Sequence, residues 1–283
     1  MTWFLYAFLA AILTAGAAIT GKYVLNKRHA LEYSVILAIT NMIIVLPLVF
    51  VADYSTLSTK AILFVFINST LATFAFLLVA KSIRHMEVSE SSPLMVLGPG
   101  VTALISWVAL GEALSAQQWF GITILMFGAY TLETKKHQHI LDPIKNIARS
   151  KYAHYIFLAL FIYGICSAID RYIIHYLSLD PSVYMLFVHI FIAILFISYM
   201  QKYDGFKGIR NGFKSVGWWI VLVAILTVSY RFSQLFALQE ASAGLVTAIK
   251  RTAALWIVIF GGELFHEKNL FRKIVASIIM LLG

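Results

Sequence analysis

Long apolar runs separated by short polar breaks set the pattern of this chain. Runs of roughly 18 to 23 residues, the length that crosses a bilayer as a helix, fall at about 3–23, 33–52, 61–81, 89–110, 117–133, 153–176, 182–200, 216–238, 242–262 and, shorter, 269–283. The pattern predicts an all-α integral membrane protein of about ten transmembrane helices. The one long polar break, "TKKHQHILDPIKNIARSKY", spans residues 134–152 and leaves five runs on each side, in 1–133 and 153–283. No break is long and polar enough to form a soluble domain. The opening "MTWFLYAFLAAILTAG" has neither a basic n-region nor a clear cleavage site, so it reads as a retained first span.

Composition agrees. Of 283 residues, 61% are hydrophobic and 12% charged, where a soluble domain carries about a quarter charged residues. The single cysteine, Cys166, lies in an apolar run and can close no internal disulfide. The net charge of +9 is spread over loops, which is a membrane-face signal rather than a nucleic-acid footprint. H-E-x-x-H, P-loop, G-x-S-x-G and Cys/His metal patterns are all missing from the sequence, so neither an enzyme nor a cofactor is expected.

The two halves repeat. "PLMVLGPGVTALISWVALGE" (Pro93 to Glu112) aligns without a gap on "GLVTAIKRTAALWIVIFGGE" (Gly244 to Glu263), and "GKYVL" (Gly21 to Leu25) on "DRYII" (Asp170 to Ile174). An odd number of spans per copy inverts one copy relative to the other, the plan of many secondary transporters. The P…GE motif of the first half, whose GE recurs at Gly262 and Glu263, followed by "QQWFGITILMFGAYTL", resembles the drug/metabolite transporter superfamily, specifically its EamA-domain proteins. That resemblance covers both halves. It implies ten helices in two inverted five-helix repeats (1–133 and 153–283) around a central cavity that opens alternately to each side.

Charge bears on orientation. Of the 22 Lys and Arg residues, Lys60 and Arg171 fall on one face, Arg231, Lys250 and Arg251 lie at depth, and the others share the opposite face. The basic face, with the 134–152 loop, is expected in the cytoplasm, which puts the termini outside. The family resemblance implies cytoplasmic termini. A multi-pass protein of the plasma or inner membrane is expected either way, with the lipid bilayer as its surroundings.

The candidate chemistry lies at depth. Lys250 and Arg251 stand roughly 12 Å into the run 242–262, near the bilayer midplane. Arg231 is about as far from the polar turn "QEAS" on its other side, and His189 in the seventh run reaches a similar depth. Each cation costs about 2.5–3.5 kcal/mol to place centrally, or roughly 8–10 kcal/mol for three, comparable to the stability of a whole domain. The only acid at similar depth is Asp170. One carboxylate cannot match three cations, so an anionic ligand is one answer and internal pairing or snorkelling the other. A lone buried histidine is more often an interhelical hydrogen bond than a ligand. Pro93 and Pro99 must break or kink the fourth span around "LGPG" (Gly98, Gly100), freeing carbonyls.

"SYRFSQLFALQEASAGLVTAIKRTAALWIVIFGGE" is also similar to the eighth and ninth helices of triose-phosphate translocators. In that family a tyrosine and a Lys-Arg pair bind the substrate phosphate, and they match Tyr230, Lys250 and Arg251 here. The fourth-helix lysine of that family is replaced by Met95. The favoured reading is a secondary transporter of small organic anions, phosphorylated or carboxylated. Its site would use Lys250, Arg251, Tyr230, Arg231, His189 and Asp170, with the broken fourth helix as a gate. The alternatives are an EamA-type exporter of neutral or zwitterionic metabolites, with the cations internally paired, and a sealed membrane receptor or assembly subunit.

Overall fold

The computed structural model describes residues 2–25, 30–85, 94–133, 150–203 and 217–257. Pro93, the connecting loop up to residue 149, Glu263 and the expected tenth span lie outside them. The described elements are all helical: α1 (Thr2–Leu25), α2 (Ala30–Val45), α3 (Thr59–His85), α4 (Gly98–Leu110), α5 (Ala116–Glu133), α6 (Lys151–Arg171), α7 (Pro181–Tyr203), α8 (Trp219–Glu240) and α9 (Ala243–Arg251). Short 3-10 turns follow α2 at Leu46–Phe50 and Tyr54–Thr56, and a π-helical turn, Tyr172–Tyr176, extends α6. Helices satisfy their interior backbone groups within one segment, which lipid demands.

Among the described residues, six stretches are long and apolar enough to cross a membrane: Thr2–Gly21, Leu31–Phe50, Thr59–Val79, Lys151–Tyr176, Pro181–Gln201 and Trp219–Glu240. Gly98–Leu110 is a shorter apolar helix. Leu5, Phe50, Val108 and Phe120 are largely exposed. Such an apolar surface is a liability in water and the normal exterior in lipid. The protein is an all-α, multi-pass membrane protein.

Contacts gather the chain into two compact units, Met1–Thr73 with Ile169–Glu240 and Phe74–Ala168 with Ala241–Gly283. Each draws residues from both sides of the 134–152 loop. In the first, α1 packs along α8, and α2 packs on α7 and α8. The alanines of α1, Ala7, Ala10, Ala11 and Ala15, are buried and let the helices approach, as small residues do in membranes. A Cβ added to Gly21 would lie 2.8 Å from the Tyr33 hydroxyl oxygen. Val24, Ile36, Ile220 and Val223 form a core around this contact.

In the second unit α9 packs on α4, and α5 completes the group. Ala103, Ile122, Leu125 and Ala248 share one core. Gly111 ends α4 in the left-handed conformation (φ 69°), its N–H returned to the Trp107 carbonyl at 3.0 Å. Glycine reaches that conformation without a Cβ penalty. The next residue, Glu112, accepts a hydrogen bond from the Ala243 N–H at the start of α9, at 3.3 Å. A carboxylate there meets the positive end of the helix dipole. In the first half, then, the GE pair terminates one helix and caps another.

Candidate functional site

The first unit holds a buried polar centre. Asp170 closes α6 just before the π-helical turn and is only 5% exposed. The Asn68 Nδ2 of α3 donates to its Oδ1 at 2.5 Å, and the Tyr184 hydroxyl of α7 donates to the same oxygen. Asn68 Nδ2 also lies 3.0 Å from the Tyr184 hydroxyl oxygen. The Arg231 side chain of α8 lies near Tyr184 and Asp170. A carboxylate held by an amide and a phenol has partners of the kind that burial requires.

Three further groups meet this centre. Tyr230 lies near both Arg231 and Tyr33. His189, buried on α7, donates from Nδ1 to the Met185 carbonyl at 2.8 Å and feels the Arg231 charge. Its ring is therefore oriented by its own helix. Of the residues singled out in the sequence, Asp170, Arg231, Tyr230 and His189 share this neighbourhood.

The π-helical turn beyond Asp170 secures the end of α8. Arg171, assigned by charge counting to a membrane face, is buried and donates from its guanidinium to the Leu238 carbonyl. The His175 Nδ1 lies 2.6 Å from the Gln239 carbonyl oxygen. Terminal carbonyls of α8 thus find donors that the helix itself cannot supply. Beside this turn, Asp53, Thr56, His175, Ser178, Asp180 and Gln239 are among the residues lining a cavity of about 390 Å³. Asp53, in the loop, is held below the usual carboxylate range by hydrogen bonds from Ser55.

The second unit holds the Lys-Arg pair. Lys250 and Arg251 are half-buried in the last turn of α9, where positive charge meets the negative end of the helix dipole. The expected continuous span 242–262 is interrupted here, because the chain turns at Thr252 before resuming as helix over 253–257. The Thr252 N–H reaches the Ile249 and Lys250 carbonyls, and its hydroxyl donates to the Ile249 carbonyl at 2.7 Å. A threonine that bonds back onto its own turn competes with the helix ladder.

The corresponding stretch of the first half is interrupted as well. Leu94 and Met95 are helical, Val96 and Leu97 form a turn, and α4 begins at Gly98. Pro99 occupies the first turn of α4, where its missing N–H leaves no bond unmade. It starts the half-helix rather than kinking a continuous one. Gly98 and Gly100 flank it, and a Cβ on Gly100 would lie 3.0 Å from the Met126 sulfur. Pro93 falls outside the described residues.

Apolar helices with ionisable groups set inside them and two interrupted helices describe a multi-pass membrane protein with polar sites at depth. A family model for the EamA-like transporter family matches residues 1–134 and 150–283. The chain belongs to that family and is a membrane transporter of small molecules. A solved crystal structure shares the fold with a TM-score of 0.75 over 99% of this chain and 94% of its own, at 12% identity. A search of curated proteins finds no match to the sequence.

Proposed function

We propose that this transporter is a secondary carrier of small organic anions, phosphorylated or carboxylated, working by alternating access. The observation that carries the reading is the interrupted α9, whose last turn presents Lys250 and Arg251 inside a membrane helix. Half-helix ends at mid-membrane are recurrent substrate sites in secondary transporters, and a paired break in matching spans of the two halves is their sequence mark. Ionisable groups in such places are costly unless function retains them. Tyr230, Arg231, His189 and Asp170 form the second polar centre of the carrier. Ten helices in two five-helix repeats, 1–133 and 153–283, are part of this proposal. So are a cytoplasmic 134–152 loop and a home in the plasma or inner membrane.

One observation favours a second reading. Asp170 and Arg231 bring opposite charges to one neighbourhood, and such a combination also suits a zwitterionic metabolite. A thermal-shift screen of the purified protein against phosphorylated, carboxylated, zwitterionic and neutral compounds separates the two. Stabilisation by anions alone supports the first, since a ligand that binds only the native state raises its melting temperature by mass action. Stabilisation by zwitterions alone overturns it.

A further inference from the structure

We propose that the end of α3 and the start of α6 form a site for an anionic phospholipid, its headgroup drawn to Lys81 and Lys151 at a tyrosine pair. Its acyl chains lie along the apolar stripe that runs down α6. None of the residues proposed for the substrate takes part, so the site stands whichever compound is carried.

A buried serine ties the two helix ends together. The hydroxyl of Ser82, on α3, is shared between two carbonyls. It donates to Leu78 of its own helix at 2.8 Å and to Tyr152 of α6 at 3.0 Å. Lys81, next to Ser82, therefore meets the first turns of α6. Its Nζ stands 5.5 Å from the centre of the Tyr155 ring, and the Lys151 Nζ stands 5.2 Å from that of Tyr152. The two rings meet nearly edge to face, 6.0 Å apart at 79°. One tyrosine pair thus carries an ammonium from each helix.

A ring face attracts an ammonium through its quadrupole but brings no net charge, so the contact places the cation without neutralising it. Among the described residues, no carboxylate pairs with Lys151. The first turn of α6 adds the positive end of its dipole. Tyrosines favour the level of the headgroups in a bilayer, where the anion on offer is a phosphate. Both lysines belong to the face expected in the cytoplasm, whose leaflet holds the anionic lipids.

The surface below the lysines favours a lipid over a soluble phosphate. Lys151, His154, Leu158 and Phe161 recur at spacings of three and four, which puts them on one side of α6. All four are exposed, Leu158 at 46% and Phe161 at 52%. At 1.5 Å per residue the rise from Lys151 to Phe161 is about 15 Å, the hydrocarbon depth of one leaflet. A stripe that is basic at its tip and apolar over that depth has the profile of one phospholipid. A soluble phosphate ester would use the tip alone.

The test uses the full-length protein in mild detergent, with native mass spectrometry counting bound lipid. The probes are phosphatidylglycerol and phosphatidylcholine of equal chain length, with glycerol phosphate as the soluble arm. Both lipids carry the phosphate, but only the first has a net charge. The wild type should retain phosphatidylglycerol in preference. Lys81→Gln and Lys151→Gln should each lower that preference about fivefold, the effect of one basic residue at an anionic surface. The double variant should lower it about twenty-five-fold if the two act independently. Lys145→Gln, in the connecting loop, should leave it unchanged.

Equal retention of the two lipids by the wild type overturns the site, and that comparison needs no variant. So does a loss in Lys145→Gln as large as in Lys151→Gln, which would show a diffuse basic face. Displacement of phosphatidylglycerol by an equal concentration of glycerol phosphate would give the lysines to a soluble phosphate and overturn the lipid.

Discussion

Gly244 packs against Ala103 so closely that a Cβ placed on the glycine would lie 2.7 Å from the alanine Cβ and 2.8 Å from its Cα. The contact joins the opening turn of α9 to α4, one half-helix against the other. Backbone cannot yield as a flexible side chain can. Gly244→Ala should therefore destabilise the protein by about 1–3 kcal/mol, the usual cost of overpacking, and lower its melting temperature. Adding Ala103→Gly should recover part of that loss, because one of the two clashing atoms is gone. If Gly244→Ala is as stable as the wild type, the packing of α9 on α4 is looser than described.

Tyr184 carries a second prediction. Its hydroxyl donates to Asp170 while lying beside Asn68 and Arg231. Tyr184→Phe keeps the ring and removes a hydrogen bond to a charged group. The expected loss is about 1.5–3 kcal/mol. Asn68→Leu should act in the same direction, and the double variant should lose less than the sum, since both act on one oxygen. Chemical denaturation in detergent would measure each. Full additivity would show that the two side chains do not share a partner.

How far this arrangement could be read from sequence depends on the range of the interaction. Most of the apolar runs matched helices to within a few residues, because bilayer thickness sets their length, while 89–110 and 242–262 are interrupted and 269–283 lies outside the described residues. Pro99 and the first-half GE pair were also legible, since proline and glycine act on their own backbone. Tyr184 was not, because a tyrosine in an apolar run looks like packing until its partner is known. Asn68 and Asp170 stand 102 positions apart, and no local pattern pairs them. The break at Thr252 is hidden for a different reason. A threonine hydroxyl bonding back to Ile249 leaves no mark in composition, and the stretch reads as one span. Arg171 was assigned to a face by its place near a run end, while its side chain turns inward to α8.

Topology gives a third prediction. The 134–152 loop, which lies outside the described residues up to 149, carries a dense set of Lys and Arg and is expected in the cytoplasm. A cysteine introduced by Lys145→Cys in a Cys166→Ser background should resist an impermeant maleimide in intact cells and react once they are opened. Labelling from outside would invert the orientation of every span.

The last prediction concerns Lys250, which closes α9 beside Arg251. An ammonium held in a membrane helix either serves a structural partner or serves an anion arriving from water. The two roles predict opposite signs. If the charge serves a substrate, Lys250→Met keeps the volume and removes a desolvation cost. Thermal stability should then hold or rise, while stabilisation by the anions of the screen disappears. Lys250→Arg should keep part of that stabilisation, since charge survives while the geometry of donation changes. If the charge instead holds a partner, Lys250→Met breaks a buried pair, which typically costs about 3–5 kcal/mol. Melting curves of both variants, with and without ligand, measure the two quantities at once. A Lys250→Met protein that is markedly less stable, yet still stabilised by anions, would remove Lys250 from the substrate site.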